Sequence, residues 1–192
     1  MDERETRLFY AASRGDTEAF ESFIIKYEKL IYNAAYRMLP TPSDAEDIAQ
    51  EVIIKVYNNL EKCKNPLAFK SWLFRIINNT CIDEIRKRSK NKTLSLDKPI
   101  EEDDGPMEIN IASKEPTPEE NLMRSENIKE LEKAIGLMSD KYKSIVVLRD
   151  INGLSYEEIA YATKLNPGTV KSRLSRGRKN LKDILLSLRE QT

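Results

Sequence analysis

The chain has 192 residues, 33% charged and 40% hydrophobic, and its 32 basic and 32 acidic side chains leave no formal net charge. That length falls between one large domain and two small ones. No apolar run approaches the roughly 20 residues of a bilayer span, and the opening MDERETR lacks the apolar stretch of a signal peptide. Histidine is absent and cysteine is limited to Cys63 and Cys81. A zinc site built from Cys and His is therefore nearly excluded, and so is a disulfide-stapled secreted fold. The natural compartment is a reducing cytoplasm, with no direct membrane insertion and no cofactor or metal expected.

Helical spacing dominates the first half. Ala19, Phe20, Phe23, Ile24, Tyr27, Leu30, Ile31, Ala34 and Met38 recur on one face, and Pro40 and Pro42 end the run. Ser43 is expected to cap the next helix, with Glu46 as its capping-box partner. That helix carries Ile48, Val52, Val56 and Leu60. A loop from Glu61 to Pro66 leads to a third helix striped by Phe69, Leu73, Ile76, Ile77, Cys81 and Ile85. All five Phe and the single Trp fall in this half, as an aromatic-rich bundle core requires. No alternating strand pattern and no internal repeat is present, so the expected class is all-α.

Charge then segregates sharply. Arg86, Lys87, Arg88, Lys90 and Lys92 close the first half with positive charge, whereas Asp97 to Glu120 holds nine acidic residues and two lysines among four prolines. Such a stretch has little to bury and reads as a solvated linker. The expected organisation is a first domain over 1–91, a flexible acidic linker over 92–120 and a second domain over 121–192.

The second half holds the sharpest local pattern. In LSYEEIA, Ser155 is an N-cap with Glu158 at the capping-box position. Ile159 faces inward, Ala160 admits a crossing helix, and Leu165 marks a turn. Pro167 and Gly168 restart the chain, and Val170 and Leu174 pin a second helix at i, i+4 spacing. This is the layout of a helix-turn-helix, whose second helix enters the major groove. With those two pinned, Lys171, Ser172, Ser175, Arg176 and Lys179 lie outward, where Arg and Lys donate to guanine edges. Arg173 and Arg178 sit beside them, placed for phosphates. The competing reading is a solvated basic helix, but no acidic residue interrupts the run from Lys164 to Lys182.

In the first half, Asp44, Asp47 and Glu51 share one helix face, with Gln50 adjacent. Taken alone they are as readily a solvated face as a site, and no His or phosphate-binding loop accompanies them. Trp72, Arg75, Asn79 and Arg86 recur opposite the apolar stripe of the third helix, where Trp72 has an alternative as a core aromatic. A helix-turn-helix regulator with 1–91 as a dimerisation domain explains the second half but neither of these faces. A hydrolase using the Asp44 to Glu51 carboxylates lacks a nucleophile–base pair.

Together DAEDIAQE (Asp44 to Glu51), FKSWLFRIINNTCID (Phe69 to Asp83) and GLSYEEIA followed by PGTVKSRLSRGRKNL (Gly153 to Leu181) resemble the extracytoplasmic-function (ECF) sigma factors of the sigma-70 family. The resemblance covers nearly the whole chain and implies a bacterial, cytoplasmic, non-enzymatic alternative sigma factor. Such a protein binds core RNA polymerase, directs it to promoters and assists melting. By resemblance Asp44, Asp47, Gln50 and Glu51 dock on the clamp helices of the largest catalytic subunit, and the second domain meets the flap region. Arg75 would hold the DNA backbone and Asn79 would sit where the strands part at the minus-ten element, with Trp72 and Arg86 on the same face. The loop carrying Lys62, Cys63 and Lys64 would form the pocket for a base rotated out of the stack. Relatives often place an aromatic at Cys63, and a thiol stacks poorly, so a departure in base choice is expected there. The helix-turn-helix would read the minus-thirty-five element. The acidic linker would thread toward the active-site and RNA-exit channel, and an anti-sigma factor is a further partner of many relatives.

Overall fold

The computed structural model describes residues 1–92 and 118–190, with side chains described over 1–90 and 127–190. All regular structure among the described residues is helical, as expected. Most of the anticipated acidic linker, residues 93–117 with seven of its nine carboxylates, lies outside them. Helix nevertheless continues to Lys92 and resumes at Pro118, so the described helices reach slightly into the expected 92–120 segment.

The first half is a bundle of four helices. Helix α1 (Glu3–Ala12) starts where the Asp2 carboxylate accepts from the Glu5 amide at 2.7 Å. Gly15, at φ +95°, turns the chain into α2 (Thr17–Tyr36), capped by Asp16 on the Ala19 amide. Helix α3 (Pro42–Asn59) corrects the expected cap. Thr41 supplies the oxygen, accepting from the Asp44 amide at 3.2 Å, and Pro42 occupies the first turn, where its missing N–H is harmless. Ser43 is therefore an exposed first-turn residue rather than the cap. Helix α4 (Phe69–Lys92) follows two short 3₁₀ turns, Leu60–Lys62 and Pro66–Ala68.

Every Phe is buried. Phe9, Phe23 and Phe69 meet edge to face at 4.8 to 5.9 Å between ring centroids, a packing that adds roughly 0.5–1.5 kcal/mol per pair beyond burial. Tyr27 closes the cluster and donates its hydroxyl to Glu5 at 2.8 Å, tying α2 to α1. Helix α1 thus exists largely to deliver Phe9. Its Leu8, Phe9, Ala11 and Ala12 form a short apolar face that the sequence reading passed over.

The second half packs α5 (Pro118–Leu137), α6 (Asp140–Val146), α7 (Tyr156–Thr163) and α8 (Pro167–Arg189). Helix α6 widens at its end into a π-turn, Val147–Ile151. Lys143 is buried, and its Nζ donates to the Gly136 carbonyl at 3.0 Å, which ties α6 to the end of α5. Gly177 lets α8 cross α6 closely: a Cβ there would stand 2.9 Å from Val146 Cγ2. The two halves also touch. Helix α7 packs on α4, and buried apolar residues from both halves form one continuous cluster.

Candidate nucleic-acid interface

The helix-turn-helix is built by its caps. Ser155 accepts from the Glu158 amide at 3.1 Å while Glu158 accepts from the Ser155 amide at 2.8 Å, a closed capping box. Helix α7 ends at Lys164 in the left-handed region, φ +56°, and Asn166 caps α8 through the Thr169 amide at 2.7 Å. Val170 and Leu174 are buried, and Gly177 continues their face. Lys171, Ser172, Ser175, Arg176 and Lys179 are thereby left exposed, and Arg173 half-buried. Arg178 differs. Its Nε donates to Asp150 at 3.0 Å in a two-point ion pair with the π-turn, so its charge already has a partner.

On the first half, α3 and α4 enclose a cleft of about 330 Å³ lined by Lys55, Asn59, Lys62, Trp72, Arg75 and Asn79, with Thr80 at its edge. Hydrogen bonds run along its α3 side and across to Thr80: Lys62 Nζ to Asn59 Oδ1 at 2.6 Å, Asn59 Nδ2 to the Lys55 carbonyl at 2.9 Å, and Lys55 Nζ to Thr80 Oγ1 at 3.1 Å. Trp72 is neither fully buried nor free: its ring centroid lies 5.9 Å from that of Phe69, and it also lines the cleft. An aromatic plane beside two amides and three cations suits a nucleobase next to phosphate. Arg75 also stacks its guanidinium over the Tyr161 ring of α7, 4.7 Å from the centroid. Arg86 is exposed further along α4, 3.9 Å from Asp83.

Cys63 takes a different place from the one expected. It is 5% exposed and points inward, its thiol 3.7 Å from the Asn65 carbonyl, and it does not line the cleft. The 3₁₀ turn rotates Lys62 toward the cleft and the thiol into the core, while Lys64 faces solvent. Lys55, Asn59 and Thr80 are cleft residues that sequence reading passed over. The i, i+4 step from Lys55 to Asn59, facing the Trp72 to Asn79 side of α4, is the signal that finds them.

The acidic face of α3 divides. Asp47, Gln50 and Glu51 are exposed, with Glu51 bridged to Lys55 at 2.6 Å and exposed Ile54 one turn on. Asp44 is 8% exposed, and both its oxygens accept from Arg88 of α4, which also holds Glu84 at 2.8 Å. Asp44 therefore braces α3 against α4 and presents little to a partner.

Residues 23–91 match the sigma-70 region 2 family and residues 128–181 the sigma-70 region 4 family. The chain is 36% identical over 176 residues to the ECF RNA polymerase sigma factor SigW of Bacillus subtilis, covering 91% of this chain and 93% of that protein. It is 32% identical over 172 residues to the ECF RNA polymerase sigma-E factor of Escherichia coli, covering 89% and 88%. Among solved structures, RpoE in complex with the anti-sigma factor NepR from Bartonella quintana is similar at TM-score 0.67 and 24% identity, over 88% of this chain and 98% of that one. CnrH in complex with the cytosolic domain of CnrY is similar at TM-score 0.64 and 21% identity, over 96% and 99%.

Proposed function

The chain belongs to the ECF sigma factors of the sigma-70 family, and from that membership we propose how its surfaces share the work of an alternative sigma factor. It binds core RNA polymerase, brings it to particular promoters and assists their opening. The observation that carries the division of labour is the double use of α3. Outward it offers Asp47, Gln50 and Glu51, and inward its Lys55 and Asn59 wall the cleft whose other side is Trp72, Arg75 and Asn79 of α4. One helix thus meets polymerase and promoter along adjoining strips, which the Glu51–Lys55 bridge joins.

In this reading residues 1–91 dock on the clamp helices of the largest subunit and act at the minus-ten element. Charge complementarity along Asp47, Gln50 and Glu51 sets the register of docking more than its affinity. Arg75 and Lys62 hold phosphate, Asn79 stands at the strand fork, and the cleft receives an unstacked base. Unstacking costs a few kcal/mol, which a preformed pocket offsets without chemical energy. Residues 121–192 meet the flap region and set α8 in the major groove of the minus-thirty-five element, with Lys171, Ser172, Ser175 and Arg176 toward base edges and Lys179 and Arg173 toward phosphate. The segment 92–120 joins the two. The protein carries out no chemistry of its own and acts in the cytoplasm, where polymerase is. No helix among the described residues is long and apolar enough to cross a membrane. An anti-sigma factor, of the kind bound in the similar RpoE structure, is a further partner.

The test compares affinity for a promoter duplex with and without core polymerase. The sigma-factor reading expects weak binding by the chain alone and tight, sequence-selective binding once core is added. Tight operator binding by the chain alone, unchanged by core, would identify an ordinary helix-turn-helix regulator instead.

A further inference from the structure

Beside its buried stripe, α8 carries a second strip made of Lys171, Ser175, Arg178 and Lys182, at i, i+4, i+7 and i+11. Residues at that spacing share one side of a helix, so Arg178 stands in line with Lys171. No acidic residue occurs in the chain from Lys164 to Lys182, yet the fold brings one to this strip. Asp150 of the π-turn accepts from Arg178 Nε at 3.0 Å and from Nη2 at 2.5 Å. Among the described residues no ion pair holds Lys171, Arg176 or Lys179. The carboxylate thus engages one cation of the basic face and leaves its neighbours unpaired.

The turn that carries Asp150 is braced on both sides. Asn152 closes it with its amide and its side chain on the Val147 carbonyl, each at 3.0 Å. Gly153, at φ +73°, turns the chain, and the Leu154 amide returns to the Leu148 carbonyl at 3.1 Å. Arg149 is held apart from its neighbour Asp150: it donates to the Leu154 carbonyl at 2.6 Å and lies 5.0 Å from the Tyr156 ring centroid. Across the contact, Gly177 sets how closely α8 lies on α6. Both partners stay open to solvent, the Arg178 side chain 53% and the Asp150 side chain 33% exposed. An exposed bridge of this kind adds little stability, so the effect of the pair lies in the charge it removes from the DNA-facing side of α8.

We propose that Asp150 masks Arg178 during promoter binding, withholding one cation from DNA phosphate and thereby setting how strongly α8 holds duplex of any sequence. The proposal rests on the reading of α8 as the minus-thirty-five helix. A guanidinium with two N–H groups on a carboxylate offers little net charge to the DNA backbone. One withheld phosphate contact lowers the salt dependence of binding by about 0.9 in log–log slope, a several-fold weaker hold at about 0.1 M salt on every sequence alike. Base-edge contacts are untouched, so the selective contacts carry a larger share of the total. A factor that searches among roughly 10⁶–10⁹ competing sites is held back less by a weaker general attraction.

Asp150→Asn, which keeps the side-chain shape and removes the charge, tests the mask in the full chain bound to core polymerase. Binding is measured over a salt series to a promoter duplex and to the same duplex with a scrambled minus-thirty-five element. Both should bind several-fold more tightly at about 0.1 M salt, with a slope steeper by about one and an unchanged ratio between them. Adding Arg178→Ala to the variant should return slope and affinity to those of the parent. An unchanged slope in Asp150→Asn overturns the mask, and a lowered urea midpoint alongside it would leave Asp150 as a brace. Weaker binding overturns it as well, because Asp150 would then be presenting Arg178 to DNA. A steeper slope that persists in the double variant overturns the assignment to Arg178. Equal binding of the two duplexes by the parent is a separate failure: it overturns the minus-thirty-five reading, while the Asp150→Asn slope still decides the mask.

Discussion

Arg176 and Lys179 stand about one turn apart on the exposed side of α8, and the account gives them different work. Replacing Arg176 with Ala should cost about 1–3 kcal/mol at the preferred promoter and relax discrimination at one minus-thirty-five position. Lys179→Ala should weaken binding to all sequences alike and lower the salt slope by about one. Arg178→Ala should do less than either, because the Arg178 charge is already held by Asp150. Holoenzyme binding to promoter variants over a salt series checks all three, and equal effects on every sequence would show the sorting of contacts to be wrong. The two thiols supply another residue-scale expectation. Cys81 is fully buried and its thiol is pushed up to about 12 by burial, and burial raises Cys63 as well. Neither should react with a thiol reagent at neutral pH until denaturant is added. Fast labelling of either would contradict the inward placement. The outward set on α8 was legible in the sequence because one helical period fixes it once Val170 and Leu174 are inside. The placement of Cys63 was not, since a 3₁₀ turn with no period of its own decides which side chain of Lys62-Cys63-Lys64 turns inward.

At the scale of elements, α3 and α4 act as one unit. Asp44, Glu84 and Arg88 tie the start of α3 to the far end of α4, so the exposed acidic face of α3 and the cleft are held in one frame. Asp44→Ala leaves Arg88 without its two-point acceptor and should lower stability by about 1–2 kcal/mol, the range for a hydrogen bond to a charged group at a partly solvated site. Asp47→Ala, on the exposed face, should stay within about 0.5 kcal/mol and instead weaken core binding. Urea unfolding midpoints of the two variants separate these roles, and equal destabilisation by both would remove the distinction. The sequence announced α2, α3, α4, α7 and α8 by period and caps. It did not announce α1, α5 or α6; α1 and α6 are short, and their stability comes from burial against the rest of the fold, Phe9 and Ala12 of α1 and Lys143 to Val146 of α6. It also offered two hydroxyls near the start of α3, and proline at the first helical position decided for Thr41 over Ser43.

At the scale of the whole molecule, a chain of zero net charge keeps its signs apart. Acidic residues gather on the outer face of α3 and in the joining segment, and basic ones on α8 and around the cleft. In the proposed reading one surface then meets polymerase while two others meet DNA, with ion pairs such as Glu51–Lys55 and Arg178–Asp150 at their borders. The zero itself carries no trace of this, and only position along the chain reveals it. The contact between α4 and α7 had no sequence signal either: Arg75 and Tyr161 lie far apart in the chain and belong to helices whose own periods are satisfied locally. The account's central claim is tested most directly by reconstituted run-off transcription on a promoter located by mapping transcript starts after overexpression of the chain. The account predicts a discrete transcript only when the chain and core polymerase are both present, reduced when Asp47 and Glu51 are replaced with Lys. A chain that neither co-purifies with core nor supports a discrete start would contradict it.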